Sequence, residues 1–156
     1  MDWLKLIIAF IICQGAGAIG AIFTARSVKT WYKTLVKPPL NPPSWIFGPV
    51  WTILYTLMAF AFTLIWQLPA ETSGKELAIG LFVSQLLVNS AWSFFFFGIK
   101  RLWWAFEELA LMWLLIAVTI VNFAALDQTA AWLLIPYLGW VTFAGYLSFS
   151  YARLNQ

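Results

Sequence analysis

Long apolar runs separated by short polar breaks organise this sequence. Crossing a hydrocarbon core of about 30 Å takes roughly 20 mostly apolar residues in a helix. Five windows meet that requirement, at about 3–25, 45–66, 77–97, 103–125 and 131–151. The breaks carry turn-forming residues: a proline-rich segment at 26–44, "QLPAETSGKE" with Pro69 and Gly74, "GIKR" at 98–101 and "LDQT" at 126–129. The pattern predicts an all-α integral membrane protein, one domain built as a five-transmembrane-helix bundle. Almost no chain is left over for a soluble domain. The first window also reads as a signal-peptide core, "LKLIIAFIIC" before the small residues "GAGA". Asp2 dilutes its basic start and the apolar stretch continues through "IGAIFTA", which favours a retained helix.

Within four of the windows, polar and large aromatic residues recur at helical spacing, which places them on one side of each helix. The second window aligns Trp51, Tyr55, Met58 and Phe62, and the third aligns Gln85, Asn89, Trp92 and Phe96. The fourth aligns Trp104, Glu108, Leu111, Leu115, Thr119 and Asn122, and the fifth aligns Tyr137, Trp140, Ala144 and Ser148. Interfacial belts account for Trp3, Trp66, Trp103, Trp132 and the "FFFF" run at 94–97. They account less well for Gln85 and Asn89, because an unpaired amide in hydrocarbon costs several kcal/mol. Two readings stay open from pattern alone: ordinary helix packing, or an aromatic pocket oriented by a few amides.

Composition agrees with the membrane reading. Of 156 residues, 63% are hydrophobic and 10% charged, against about 25% charged in soluble domains. Cys13 is the only cysteine, so there is no internal disulfide, and it reads as a small buried apolar residue. Without histidine there is no ordinary zinc or haem-ligating set. The net charge of +3 is mainly a topology signal. Arg26, Lys29, Lys33, Lys37, Lys100, Arg101 and Arg153 fall on one side of a five-span chain, with Lys5 and Lys75 on the other. Basic residues favour the cytoplasm, so the N-terminus is expected outside and the proline loop and C-terminus inside. Nothing else in the sequence supports nucleic-acid binding.

The segment "WYKTLVKPPLNPPSWIFGPVW" at 31–51 interrupts this apolar pattern. Its prolines block helix propagation, while Trp31, Trp45 and Trp51 make it too aromatic for a solvated linker. Glu107 and Glu108 are costly at their depth in the fourth window, so one should turn inward or reach the interface. Adjacent on a helix, they point about 100° apart and cannot act as one catalytic dyad. Pro136 is expected to kink the last helix. "GAGAIGA" at 15–21 suits close helix contacts, and Gly80 with Ser84 forms a small-xxx-small pair suited to self-association.

Three ordered motifs, "WYxxLxKPxxxPPxxxFxPVWTxLY", "QLxxNxxWSxxFFGxKR" and "PYLxWVxFAxxLSF…R", resemble the TspO/MBR family nearly end to end. The resemblance implies a five-helix bundle, usually a homodimer in the lipid bilayer, whose cavity binds porphyrins, sterols and synthetic isoquinoline or benzodiazepine ligands. It implies a porphyrin or haem-type tetrapyrrole as ligand, no obligatory cofactor, and for a bacterial member the inner membrane as location. The family's ligand-binding positions fall on Trp31, Trp51, Asn89, Trp92, Trp104, Trp140 and Ala144, with Tyr55 beside them on the pocket face. Pro38, Pro39, Pro42 and Pro43 match the loop that folds over the cavity mouth. Gly80 and Ser84 match the dimer face, with Ser in place of the second Gly. The sterol-motif region falls at Leu147, Phe149 and Arg153, and a literal sterol pattern also runs through Leu147, Tyr151 and Arg153. The leading expectation is a receptor or transporter for tetrapyrroles. The alternatives are light- and oxygen-dependent porphyrin breakdown, with Trp51 and Trp140 as electron donors, and a ligand-sensing regulatory subunit.

Overall fold

The computed structural model describes residues 1–156 and is all-α. In chain order it contains α1 (Trp3–Ser27), a one-turn α2 (Trp31–Thr34), α3 (Phe47–Trp66), α4 (Lys75–Ser93), α5 (Leu102–Leu126) and α6 (Gln128–Leu154). A 3₁₀ turn at Ser44–Ile46 leads into α3, and α4 runs on into a π-helical turn at Phe94–Gly98. The five long helices are each long and apolar enough to cross a membrane, as an integral membrane protein requires. With the 3₁₀ and π-helical turns included, the spans Trp3–Ser27, Ser44–Trp66, Lys75–Gly98, Leu102–Leu126 and Gln128–Leu154 extend the corresponding sequence windows by a few residues at most.

The helix ends are set by local chemistry. Asp2 caps α1 by accepting from the Lys5 N–H at 3.2 Å, and that bond holds its carboxyl below the usual carboxylate range. Asp127 caps α6 by accepting from Ala130 N–H at 2.9 Å, so a single residue suffices to separate α5 from α6. Gly74 enters α4 at φ +84°, a backbone region that side chains disfavour. Pro136 lies inside α6, which runs through it as one continuous helix.

The long helices close a ring in the order α1, α3, α6, α5, α4, and α4 returns to α1. The end of the ring away from the proline segment is solid. There Phe62 stacks on Phe82 at 4.7 Å and Phe82 on Phe123 at 5.9 Å, among buried Met58, Ile65, Ile116 and Leu134. Two buried threonine hydroxyls inside the spans are satisfied by their own helix: Thr63 and Thr119 donate to the carbonyls of Ala59 and Leu115, at 2.7 and 2.6 Å.

Two expectations need correction. Only part of the "FFFF" run can serve as an interfacial belt: within the π-helical turn Phe96 and Phe97 are buried, while Phe94 is exposed and Phe95 half-buried. On α5 the inward face is Ala105, Leu109, Met112, Ile116, Thr119 and Phe123, so Thr119 is buried as expected while the positions inferred at Trp104, Glu108, Leu111, Leu115 and Asn122 are each one residue out of register. At cavity depth that face shows only Ala105, Leu109 and Met112, which offer no polar or aromatic marker. The aromatic residues that seemed to mark it stand outside.

Candidate functional site

At the proline-segment end, the same five helices splay around a cavity of about 560 Å³. That lies inside the range of about 300–1,000 Å³ typical of small-molecule sites. Its walls are aromatic. Trp51 stacks on Tyr55 at 5.5 Å and meets Tyr137 edge-on at 6.2 Å. Trp140 packs against Phe47 at 5.9 Å and Phe143 at 5.7 Å, and Trp92 stacks on Phe96 at 5.0 Å.

The floor is a connected polar network. Tyr55 donates to Asn89 Oδ1 at 2.6 Å, Asn89 Nδ2 donates to the Tyr137 hydroxyl at 2.7 Å, and that hydroxyl donates to Gln85 Oε1 at 2.8 Å. The thioethers of Met58 and Met112 close its ends, 3.9 Å from Gln85 Nε2 and 3.7 Å from the Tyr137 hydroxyl. Buried amides in a membrane interior are thereby paired, as the desolvation cost demands. The chain links α3, α4 and α6 and fixes the orientation of Tyr55 beneath Trp51. Three polar atoms on cavity-lining residues lack any partner: the indole nitrogens of Trp92 and Trp140 and the Ser148 hydroxyl. Unpaired donors in a buried wall are what a ligand with acceptor groups would satisfy.

The roof is held by a latch that sequence reasoning did not find. Tyr151 donates to the Tyr32 hydroxyl or to Asn41 Oδ1, each 2.7 Å away. Asn155 then clasps the backbone of Val36 from both sides, accepting from its N–H at 2.8 Å and donating to its carbonyl at 3.0 Å. Ser27 ties the end of α1 to the Phe97 carbonyl at 2.9 Å. These partners are 70 to 119 residues apart in sequence, so no local spacing announces them.

The structure brings Trp51, Tyr55, Asn89, Trp92, Trp140 and Ala144 onto one cavity, together with Leu147. Other expected positions lie elsewhere. Trp104 is 55% exposed, on the outer surface of α5 beneath the Arg101 guanidinium at 5.7 Å. It borders a shallow groove between α4 and α5 together with Glu107 and Glu108, and both Glu108 oxygens are shielded without a partner. The physical reason is the α5 register described above. Trp31 also falls short of the cavity: it packs edge-on to Phe96 at 5.9 Å with Lys100 Nζ 5.5 Å from its ring. None of Pro38, Pro39, Pro42 and Pro43 lines the cavity; Pro38 is buried, Pro42 half-buried, and Pro39 and Pro43 are exposed. The segment reaches the cavity through Tyr32 and Ser44 instead. In the sterol-motif region, Leu147 and Tyr151 face inward, whereas Phe149 packs outward on Trp103 and Phe106 and Arg153 is exposed. Gly80 and Ser84 lie exposed on α4, away from the cavity, with no heavy atom within 4 Å of a Cβ built at Gly80.

Comparison with known proteins points to one family. The model of the TspO/MBR family matches residues 9–154. The chain is 38% identical over 152 residues to the tryptophan-rich protein TspO of Chlorobaculum tepidum, covering 97% of this chain and 96% of that relative. It is 39% identical over 155 residues to the tryptophan-rich sensory protein of Cereibacter sphaeroides, covering 99% and 94%. It is also 37% identical over 141 residues to the translocator protein of Bos taurus, covering 90% and 83%.

Proposed function

Since the chain belongs to the TspO/MBR family, we propose that it is a membrane receptor or carrier for a flat, apolar tetrapyrrole of the porphyrin class. One observation carries the reading: a cavity of about 560 Å³ walled by Trp51, Trp92 and Trp140, with two of those indole nitrogens unpartnered. Indole faces suit stacking on a planar ring, and unpaired donors suit its carboxylate or carbonyl acceptors. The names of the relatives, translocator and sensory protein, fit both a carrier and a sensor. In this reading the basic residues at the loop end, among them Arg26, Lys29 and Lys100, face the cytoplasm. The exposed Gly80–Ser84 face of α4 pairs two copies.

The test is a dark titration of the purified protein with protoporphyrin, following tryptophan fluorescence, beside a variant carrying Trp51→Phe and Trp140→Phe. Saturable quenching that weakens in the variant supports the reading; equal, non-saturating quenching in both overturns it. A second reading, light- and oxygen-dependent breakdown of the bound porphyrin, is favoured by the stacking of Trp51 on Tyr55, which sets two oxidisable rings side by side. A porphyrin spectrum altered after illumination in air, but not in the dark or without oxygen, would distinguish it.

A further inference from the structure

The cavity wall is not equally closed all round. Its lining residues on α4, α5 and α6 are buried or half-buried, whereas Ala18, Ala21, Ala25, Ser44, Gly48 and Thr52 are exposed. All six lie on α1, at the start of α3 or in the turn leading into it. A residue that both lines a cavity and faces outward marks an opening, and these mark one between α1 and α3. Elsewhere the two helices meet tightly. Gln14 Nε2 donates to the Thr52 carbonyl and the Thr56 hydroxyl, both at 3.1 Å, and a Cβ on Gly17 would sit 2.4 Å from the Tyr55 ring. Gln14 therefore forms the sill of the opening. It lies about 17 Å along α1 from Trp3, roughly mid-membrane. Above it the exposed lining positions are all small side chains, with Phe47 and Trp51 half-buried behind them, and exposed Arg26 and Lys29 stand at the top. The loop-side roof, by contrast, is latched through Tyr32, Asn41, Tyr151 and Asn155.

We infer that ligand enters and leaves this cavity sideways from the bilayer, between α1 and α3, in the membrane half nearest the proline segment. The chemistry of the portal selects an amphiphile: a flat apolar body that slides past alanines and glycine, with an anionic edge held at the headgroup level by Arg26 and Lys29. Small side chains on both rims leave room for a ring, and a charge kept at the surface never has to cross hydrocarbon. This rests on the reading of the cavity as a ligand site, and the experiment separates the two.

The protein in lipid nanodiscs would be mixed with protoporphyrin, and association followed by stopped-flow tryptophan quenching. Plugging the rims with Ala21→Phe and Ala25→Phe should slow association by about tenfold or more, within the range over which such mutants vary. Dissociation should slow with it, so affinity moves less than the rates. Loosening the roof with Asn155→Ala and Asn41→Ala should leave the association rate unchanged. An unchanged rate in the plugged protein, or a faster one in the loosened protein, overturns the inference. A second readout does not need porphyrin. A small apolar diazirine dissolved in the lipid should label Ala144–Ser148 of α6 on illumination, and the plugged variant should lose that labelling. Equal labelling in both would overturn the portal. If protoporphyrin fails to saturate the unmodified protein while this labelling pattern holds, the porphyrin reading falls and the portal stands.

Discussion

Removing the hydroxyl of Tyr137 should test whether the polar floor holds the cavity together. Tyr137 is fully buried, accepts from Asn89 at 2.7 Å and donates to Gln85 at 2.8 Å. Tyr137→Phe keeps the ring and strands two partners, an Asn89 N–H and a Gln85 carbonyl oxygen. Each stranded group costs about 1–3 kcal/mol in a soluble interior. Membrane hydrogen bonds measured by double-mutant cycles average nearer 0.6 kcal/mol, because polar groups in the unfolded bilayer state also find partners. Both amides here are buried, so the loss should approach twice the largest membrane values of about 1.7 kcal/mol, or roughly 3 kcal/mol. Tyr55→Phe strands only the Asn89 carbonyl oxygen and should cost about half as much. The assay is reversible unfolding in mixed micelles, read by near-ultraviolet circular dichroism. Adding Gln85→Leu to Tyr137→Phe should recover part of the loss, because it removes the stranded Gln85 carbonyl oxygen and leaves only the Asn89 N–H unsatisfied. If Tyr137→Phe costs less than about 0.5 kcal/mol, or no more than Tyr55→Phe, the network is incidental to stability.

Five further substitutions probe other parts of the structure. Gly17→Ala should destabilise by about 1–3 kcal/mol, since its Cβ would stand 2.4 Å from the Tyr55 ring, whereas Gly80→Ala, with open space around it, should leave the monomer at least as stable; thermal midpoints in one detergent compare them. Glu108→Gln should raise that midpoint when it is measured at alkaline pH, because both carboxyl oxygens are shielded without a partner and an ionised carboxylate there would be an uncompensated charge; a lower midpoint at alkaline pH would mean the carboxylate has a stabilising partner. Trp104→Phe should leave protoporphyrin affinity within about twofold, while Trp140→Phe weakens it by about tenfold, roughly the 1–3 kcal/mol that a base stacked on an aromatic side chain contributes; equal losses in titrations of the two would return Trp104 to the site.

Hydropathy was enough to find the spans, because a bilayer imposes both length and apolarity on every helix that crosses it. The inward faces of α3, α4 and α6 were legible for the complementary reason: Tyr55, Asn89, Gln85 and Tyr137 are too polar to face lipid, so spacing alone turns them inward. The logic fails on α5. At cavity depth its inner face is Ala105, Leu109 and Met112, which hydrocarbon would accept equally well, and Trp104, read as a marker, is satisfied at the surface by Arg101. The roof was illegible for a third reason. The Tyr151–Tyr32 and Asn155–Val36 contacts join positions 119 residues apart, and a tyrosine near a membrane surface is usually read as an interfacial anchor. Tryptophan content is therefore a poor guide to which wall a tryptophan belongs to. Trp140 and Trp104 are both aromatic positions of the same family pattern, yet they lie on opposite sides of the helical wall. What distinguishes them is the register of the helix that carries each, and in a membrane that register is set by polar residues that cannot face lipid. Where a helix has none at cavity depth, as on α5, only the packed structure decides.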